Sequence, residues 1–195
     1  MKKLKIILDP AHGSNVSGKQ SPDGLHKEYQ WSRKVCQWMK TILEGRGYAV
    51  TITVNDDIEP GLNYRTKQAN EITGQTFFIS LHNNAAGNLN QWMEARGFEI
   101  WTSPGETNSD VYATIIFDEL VKDFPKYKSR SDYADGDPDK ESAFYVLKHT
   151  HCPAVLIEWL FQDNRRDVEL LQNETVTAAF CTTLANAIDK INDQL

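Results

Sequence analysis

The sequence predicts an α/β fold: one three-layer domain spanning residues 1–195, in which a mainly parallel sheet carries helices on both faces. Three observations predict it. Short apolar runs of strand length alternate with segments whose apolar residues recur at helical spacing, the order expected of βαβ units. Several runs are apolar at consecutive positions, as strands covered on both faces require. No internal repeat or low-complexity linker divides the chain.

Residues 5–8 form the first run and end in the turn-forming Asp9-Pro10-Ala11-His12-Gly13, a strand passing into a loop. A long polar loop follows, to about residue 27. Trp31, Val35, Trp38 and Ile42, with Met39 and Leu43 beside them, then mark an amphipathic helix over about residues 28–44, stopped by Gly45 and Gly47. Residues 48–54 are rich in β-branched side chains and read as a strand, and residues 62–72 as a helix closed by Gly74. The apolar run at 76–82 is a strand whose last residue is His82. After a Gly/Asn-rich segment at 83–91 come a strand at 98–101 and a helix at about 108–124. Residues 132–141 make an acidic loop, 144–147 a short strand or turn, and 154–157 a buried strand ending at Glu158. A helix at about 176–191 places Phe180, Leu184, Ala187, Ile188 and Ile191 toward the core.

Composition narrows the class. A chain of 195 residues with 40% hydrophobic content can bury one sizeable core. The formal charge of -6 and the lack of a Lys/Arg-rich run argue against nucleic acid as partner. No apolar stretch approaches the roughly 18 residues needed to span a bilayer, and the basic start lacks a secretory apolar core. Cys36, Cys152 and Cys181 are widely spaced without a CxxC, which suits free thiols better than disulfides or a cysteine zinc site.

Open α/β sheets bind ligands beyond the carboxyl ends of their strands. Three reactive side chains fall there: His12 after the first strand, His82 closing the third and Glu158 closing the late apolar strand. Glu28, at a helix start, can swing in from the long first loop. Two imidazoles and one carboxylate are a three-ligand zinc set with an open position for water, and a fourth, unligated carboxylate remains for proton transfer. Metal binding is assigned to His12, Glu28 and His82, and acid/base work to Glu158. Zinc acidifies its water and polarises a scissile carbonyl, the two demands of amide hydrolysis.

The segments Leu8-Asp9-Pro10-Ala11-His12-Gly13, Glu28 opening a helix, Tyr64-Arg65 with Ala69-Asn70, Ser80-Leu81-His82-Asn83-Asn84-Ala85, and Ala154-Val155-Leu156-Ile157-Glu158 with Phe161 and Asn164 occur in that order. This pattern resembles the catalytic domain of the zinc-dependent N-acetylmuramoyl-L-alanine amidases of the third amidase family, over essentially the whole chain. The resemblance implies a six-stranded sheet, peptidoglycan as substrate, one zinc per chain on His12, Glu28 and His82, and Glu158 as the catalytic glutamate. Ala11 and Ser14 stand where glycines are usual, and Trp159-Leu160 where a small residue is common, which bears on substrate fit.

Rival readings have their own residues. His26 competes with Glu28 as the ligand from the first loop. His149 and His151, at alternate positions of a strand, could share a metal, against a default of surface loop. Asp132, Asp135, Asp137 and Asp139 fail the EF-hand pattern and read as a solvated loop near the substrate groove. Arg65 could pair with a buried acid or a substrate carboxylate, and Trp92, Trp101 and Trp159 could stack on sugars or pack in the core. The alternatives to the amidase are a zinc peptidase or deacetylase acting on cell-wall fragments, and a wall-binding protein without turnover. A monomer acting on the cell wall is expected, either a phage-lysin-like enzyme released by another protein or one whose export signal was removed.

Overall fold

A computed structural model describes residues 3–88 and 90–195; Met1, Lys2 and Leu89, the last within the Gly/Asn-rich segment, lie outside the described residues. The chain runs β1 (Lys5–Pro10), α1 (Glu28–Gly45), β2 (Ala49–Ile52), α2 (Leu62–Asn70), β3 (Thr76–Asn84), β4 (Phe98–Thr102), α3 (Asn108–Asp123), β5 (Lys140–Glu141), α4 (Tyr145–His149), β6 (Ala154–Phe161), α5 (Arg165–Leu171) and α6 (Glu174–Asp193). The strands form one six-stranded sheet in the order β2-β1-β3-β6-β4-β5. All neighbours are parallel except β4 against β6. No helix among the described residues is long and apolar enough to cross a membrane.

Side chains alternate across a strand, so each strand feeds two cores. On one face Ile6, Leu8, Phe77, Ile79, Val155, Ile157 and Trp159 pack under α1, α3 and α6 in the large core. On the other, Ile7, Phe78, Ala154 and Leu156 meet Ala69 of α2 and Val146 and Leu147 of α4, with the half-buried Ile72, Trp101 and Cys152 at the margin. Two short helices cannot cover that face to its carboxyl end. The uncovered part holds the side chains that continue the same alternation: Asp9 on β1, Ser80 and His82 on β3, and Glu158 on β6.

Several helix boundaries have a local cause. Glu28 is the acidic residue in the first turn of α1, where the helix dipole favours negative charge. Gly47, at φ 84°, turns the chain left-handed after α1, and the N–H of Tyr48 closes on the Leu43 carbonyl at 3.0 Å. Asn173 accepts from the N–H groups of Thr175 and Val176, so α6 starts two residues earlier than its apolar periodicity shows. Asn164 caps α5 in the same way.

Several expectations need correction. Residues 144–147 are neither strand nor turn but the entry to α4, a helix too short for periodicity to reveal. His149 ends that helix, so His149 and His151 do not sit on a strand as a metal pair. The acidic loop is solvated only in part: Asp132 and Asp135 are exposed, but Asp139 is buried. Strand β6 continues past Glu158 to Phe161 through a bulge. Between the pairs His82–Glu158 and Asn84–Phe161, β6 spends one more residue than β3, and Leu160 takes a left-handed φ of 62°. The extra residue lets Trp159 and Leu160 both enter the large core.

Trp159 is therefore no sugar platform. It is fully buried, with ring centroids 4.3 Å from Phe180, 5.0 Å from Phe124 and 5.5 Å from Phe98. Trp159→Ala is expected to cost about 3–5 kcal/mol of stability, as other large aromatic truncations in cores do. Denaturant unfolding checks this, and an unchanged midpoint at constant slope would refute it.

Candidate active site

His12 stands just past β1 with φ 44°, a left-handed conformation in which histidine is over-represented among non-glycine residues. Its neighbour must be glycine, because a Cβ on Gly13 would lie 2.2 Å from the backbone nitrogen of Glu59. Two arginines clamp this turn: Arg33 and Arg65 both donate to the His12 carbonyl, at 2.9 and 3.1 Å. Ala11 is fully buried there and its N–H is bonded to the Ser32 hydroxyl.

From this turn His12 Nε2 approaches Glu28 Oε1 to 3.5 Å, and His82 Nδ1 approaches the same oxygen to 3.1 Å. The donor atoms of the three residues all lie within 4.8 Å of one another. The other Glu28 oxygen is occupied, since Gln162 Nε2 donates to Oε2 at 2.7 Å. Glu28 is buried, which alone would raise its pKa, but the His82 hydrogen bond, both imidazoles and the Asn83 N–H outweigh burial and keep it ionised. Burial lowers His12 to about 4, leaving a neutral imidazole with a free lone pair at pH 7. For His82, burial opposes protonation, yet the bond to Glu28 and the charges of Glu158, Glu28 and Asp9 raise its pKa. Carboxylates on several sides of one imidazole make a place that favours a cation.

The far side of His82 is held by a relay. Its Nε2 lies 3.1 Å from Ser80 Oγ, which donates to Asp9 Oδ2 at 2.8 Å. Asp9 accepts in turn from Thr53 and from Arg65 Nη1, at 2.7 Å, and Arg65 also pairs with Glu59 at 2.6 Å. Arg65 thus meets a buried acid, one of its two expected roles. Such orienting partners fix the tautomer and direction of a ligating histidine.

Glu158 pairs with His82 across the parallel strands and with Glu99 across the antiparallel pair. Its Oε2 is buried without a hydrogen-bond partner among the described residues. Burial, with Glu28 and Glu99 nearby, raises its pKa to about 7 against the opposing influence of His82. It lines a cavity of about 270 Å³ together with His12, His82, Lys19, Leu62, Phe144, Tyr145 and Leu156. A larger cavity of about 350 Å³ opens at the opposite ends of the strands, beside Leu4, Thr76 and Pro153, away from this cluster.

The structure brings His12, Glu28, His82 and Glu158 to one place. His26 stays out: it is buried against Asn83, 2.8 Å from Nε2 to Oδ1. Sequence reasoning missed Gln162, Ser80 and the anchoring role of Asp9. Strand alternation could have found Ser80, two residues before His82 on the same face; no local pattern marks Gln162.

An α/β sheet whose carboxyl end gathers a His₂Glu donor set able to hold a cation, beside a glutamate with a partnerless oxygen in an open cavity, defines a class, that of hydrolases. The family is then given by comparison. A family model described as N-acetylmuramoyl-L-alanine amidase matches residues 6–190, and the chain belongs to that family, the third amidase family. The N-acetylmuramoyl-L-alanine amidase CwlM of Bacillus licheniformis is 30% identical over 188 residues, covering 95% of this chain and 67% of that protein. The endolysin of Bacillus phage SPP1 is 30% identical over 181 residues, covering 90% of this chain and 60% of its own length. The crystal structure of an N-acetylmuramoyl-L-alanine amidase from Clostridium difficile 630 has the same fold, with a TM-score of 0.84 at 23% identity over 98% of this chain and 97% of that one.

Proposed function

We propose that this chain hydrolyses the amide bond between the lactyl group of N-acetylmuramic acid and L-alanine in peptidoglycan, with one zinc ion per chain on His12, Glu28 and His82 and with Glu158 as acid and base. The observation that carries the reading is the convergence of the three donor atoms beside the partnerless Oε2 of Glu158. The donor set fits zinc: tetrahedral ligands about 2.0–2.1 Å from the ion stand roughly 3.3 Å apart, and the two contacts to Glu28 Oε1 are 3.1 and 3.5 Å.

Zinc held there supplies a Lewis acid for the scissile carbonyl and lowers the pKa of a water nucleophile. The protein does the rest. Gln162 holds Glu28 Oε2, so Oε1 is the oxygen left to the cation. Ser80 and Asp9 hold His82 from behind. Glu158 takes the proton of the attacking water on Oε2 and returns it to the departing alanine nitrogen, for which a pKa near neutrality suits it. Leu62, Phe144 and Leu156 wall the cavity with apolar surface, which limits bulk water around the reacting groups.

The chain is read as a monomer and a single catalytic unit acting on the cell wall. Digestion of purified peptidoglycan, followed by mass spectrometry, tests the bond cut. Intact stem peptides with a new L-alanine amino terminus are expected. Cleavage within the stem, loss of acetyl groups, or binding of the wall without any product would each overturn the assignment in favour of a peptidase, a deacetylase or a wall-binding protein.

A further inference from the structure

A second group of carboxylates lies on the part of the sheet that β4 and β5 build. Asp110, in the first turn of α3, and Asp137 and Asp139, in the loop leading to β5, bring one carboxylate oxygen each within 4.8 Å of one another. Asp139 is 2% exposed and Asp110 6%. Among the described residues none of the three forms an ion pair with a lysine or arginine. Lys140, the next residue in sequence, turns instead to Glu99 at 2.7 Å.

Each buried member is aimed by one oxygen. Asp139 Oδ2 accepts from the Thr102 hydroxyl at 2.6 Å, and Asp110 Oδ2 accepts from the Thr107 N–H in the capping box of α3. The remaining Asp139 oxygen, Oδ1, is buried with no hydrogen-bond partner among the described residues, and so is Asp137 Oδ1. Carboxylates that face one another repel unless a proton or a cation lies between them. Burial and the facing Asp137 carboxylate push Asp139 up to about 8, against the Thr102 hydrogen bond. Two oxygens without partners in one acidic group, oriented from behind by a hydroxyl and a helix cap, are arranged as the ligands of a cation are.

We propose that Asp110, Asp137 and Asp139 form a structural calcium site, distinct from the His12–Glu28–His82 cluster, that ties the loop before β5 to the start of α3. All three donors are hard oxygens, which select calcium or magnesium over zinc. A loop segment supplying closely spaced aspartates suits the larger and less strictly octahedral ion, with backbone carbonyls and water completing its six to eight ligands. The site is joined to the active-site wall by sequence: Lys140 holds Glu99, the cross-strand neighbour of Glu158, and Phe144 and Tyr145 follow a few residues later.

The test uses the full, zinc-loaded chain in calcium-free buffer, titrated with calcium chloride by calorimetry and then heated with and without calcium. Wild type is expected to bind one calcium per chain, and its unfolding midpoint to rise by about 5–10 °C at one hundred times the dissociation constant. Asp139→Asn should abolish both effects, yet unfold without calcium at or above the wild-type temperature, because a neutral amide faces Asp137 without needing a proton or a cation between them. That last result separates a lost site from a variant that fails to fold. Asp132→Asn, in the exposed part of the same loop, should keep the full response. No calcium response in wild type, an equal response in Asp139→Asn, or a response to magnesium alone would overturn the proposal and leave a carboxylate pair sharing a proton.

Discussion

Glu158→Gln is expected to lower peptidoglycan hydrolysis by about 10²- to 10⁴-fold, the usual contribution of a positioned acid/base group, while zinc content stays near one per chain. The variant keeps the shape of the side chain and removes only its capacity to carry the proton. Neither neighbouring glutamate can take over that role: Glu28 is held ionised and is engaged at both oxygens, and Glu99 is tied to Asn84, Trp101, Arg130 and Lys140. Of these three glutamates only Glu158 presents a buried oxygen without a partner among the described residues. Steady-state kinetics and elemental analysis on the same preparation decide the matter. Retained turnover would remove Glu158 from the mechanism, and loss of zinc with turnover would make it a ligand rather than a proton carrier.

His82→Ala is expected to lose metal and activity together. Removing a group that merely orients a ligand costs about 10–100-fold in metal affinity, so removing the ligand itself should cost more. The change also leaves Glu28 Oε1 without its 3.1 Å contact and strands the Ser80–Asp9 relay. Ser80→Ala provides the graded comparison: zinc binding weaker within that 10–100-fold range, with the ligands still present. Full zinc occupancy in His82→Ala, measured after dialysis against metal-free buffer, would show that the ion is held elsewhere.

The two variants probe opposite faces of one arrangement. Adjacent strands place His82 and Glu158 side by side, yet one points its ring nitrogen at Glu28 and the other keeps an oxygen free. Between the two glutamates the difference comes from neighbours: Glu28 is buried and hydrogen-bonded by His82, a backbone N–H and the Gln162 amide, whereas Glu158 is half-buried and its Oε2 has no partner among the described residues. The same side chain is thereby held charged in one place and near neutrality in the other.

Periodicity in the sequence was enough for the class of the fold, the long helices α1, α3 and α6, and the buried strands β1, β3 and β6. Those elements span several periods, and burial imposes their pattern locally. The meeting of His12, His82 and Glu158 was also legible, because strand ends are where open α/β sheets gather their loops and side chains, and Glu28 joins them from a helix start. Tertiary structure alone decided the rest. The order β2-β1-β3-β6-β4-β5, the reversal of β4 and the bulge at Leu160 depend on pairings between distant segments. So does the burial of Asp139, which in sequence is one of several aspartates in a polar loop. Gln162 and Ser80 matter only through what the fold sets beside them, since a hydrogen bond formed across the sheet leaves no periodic trace in the chain.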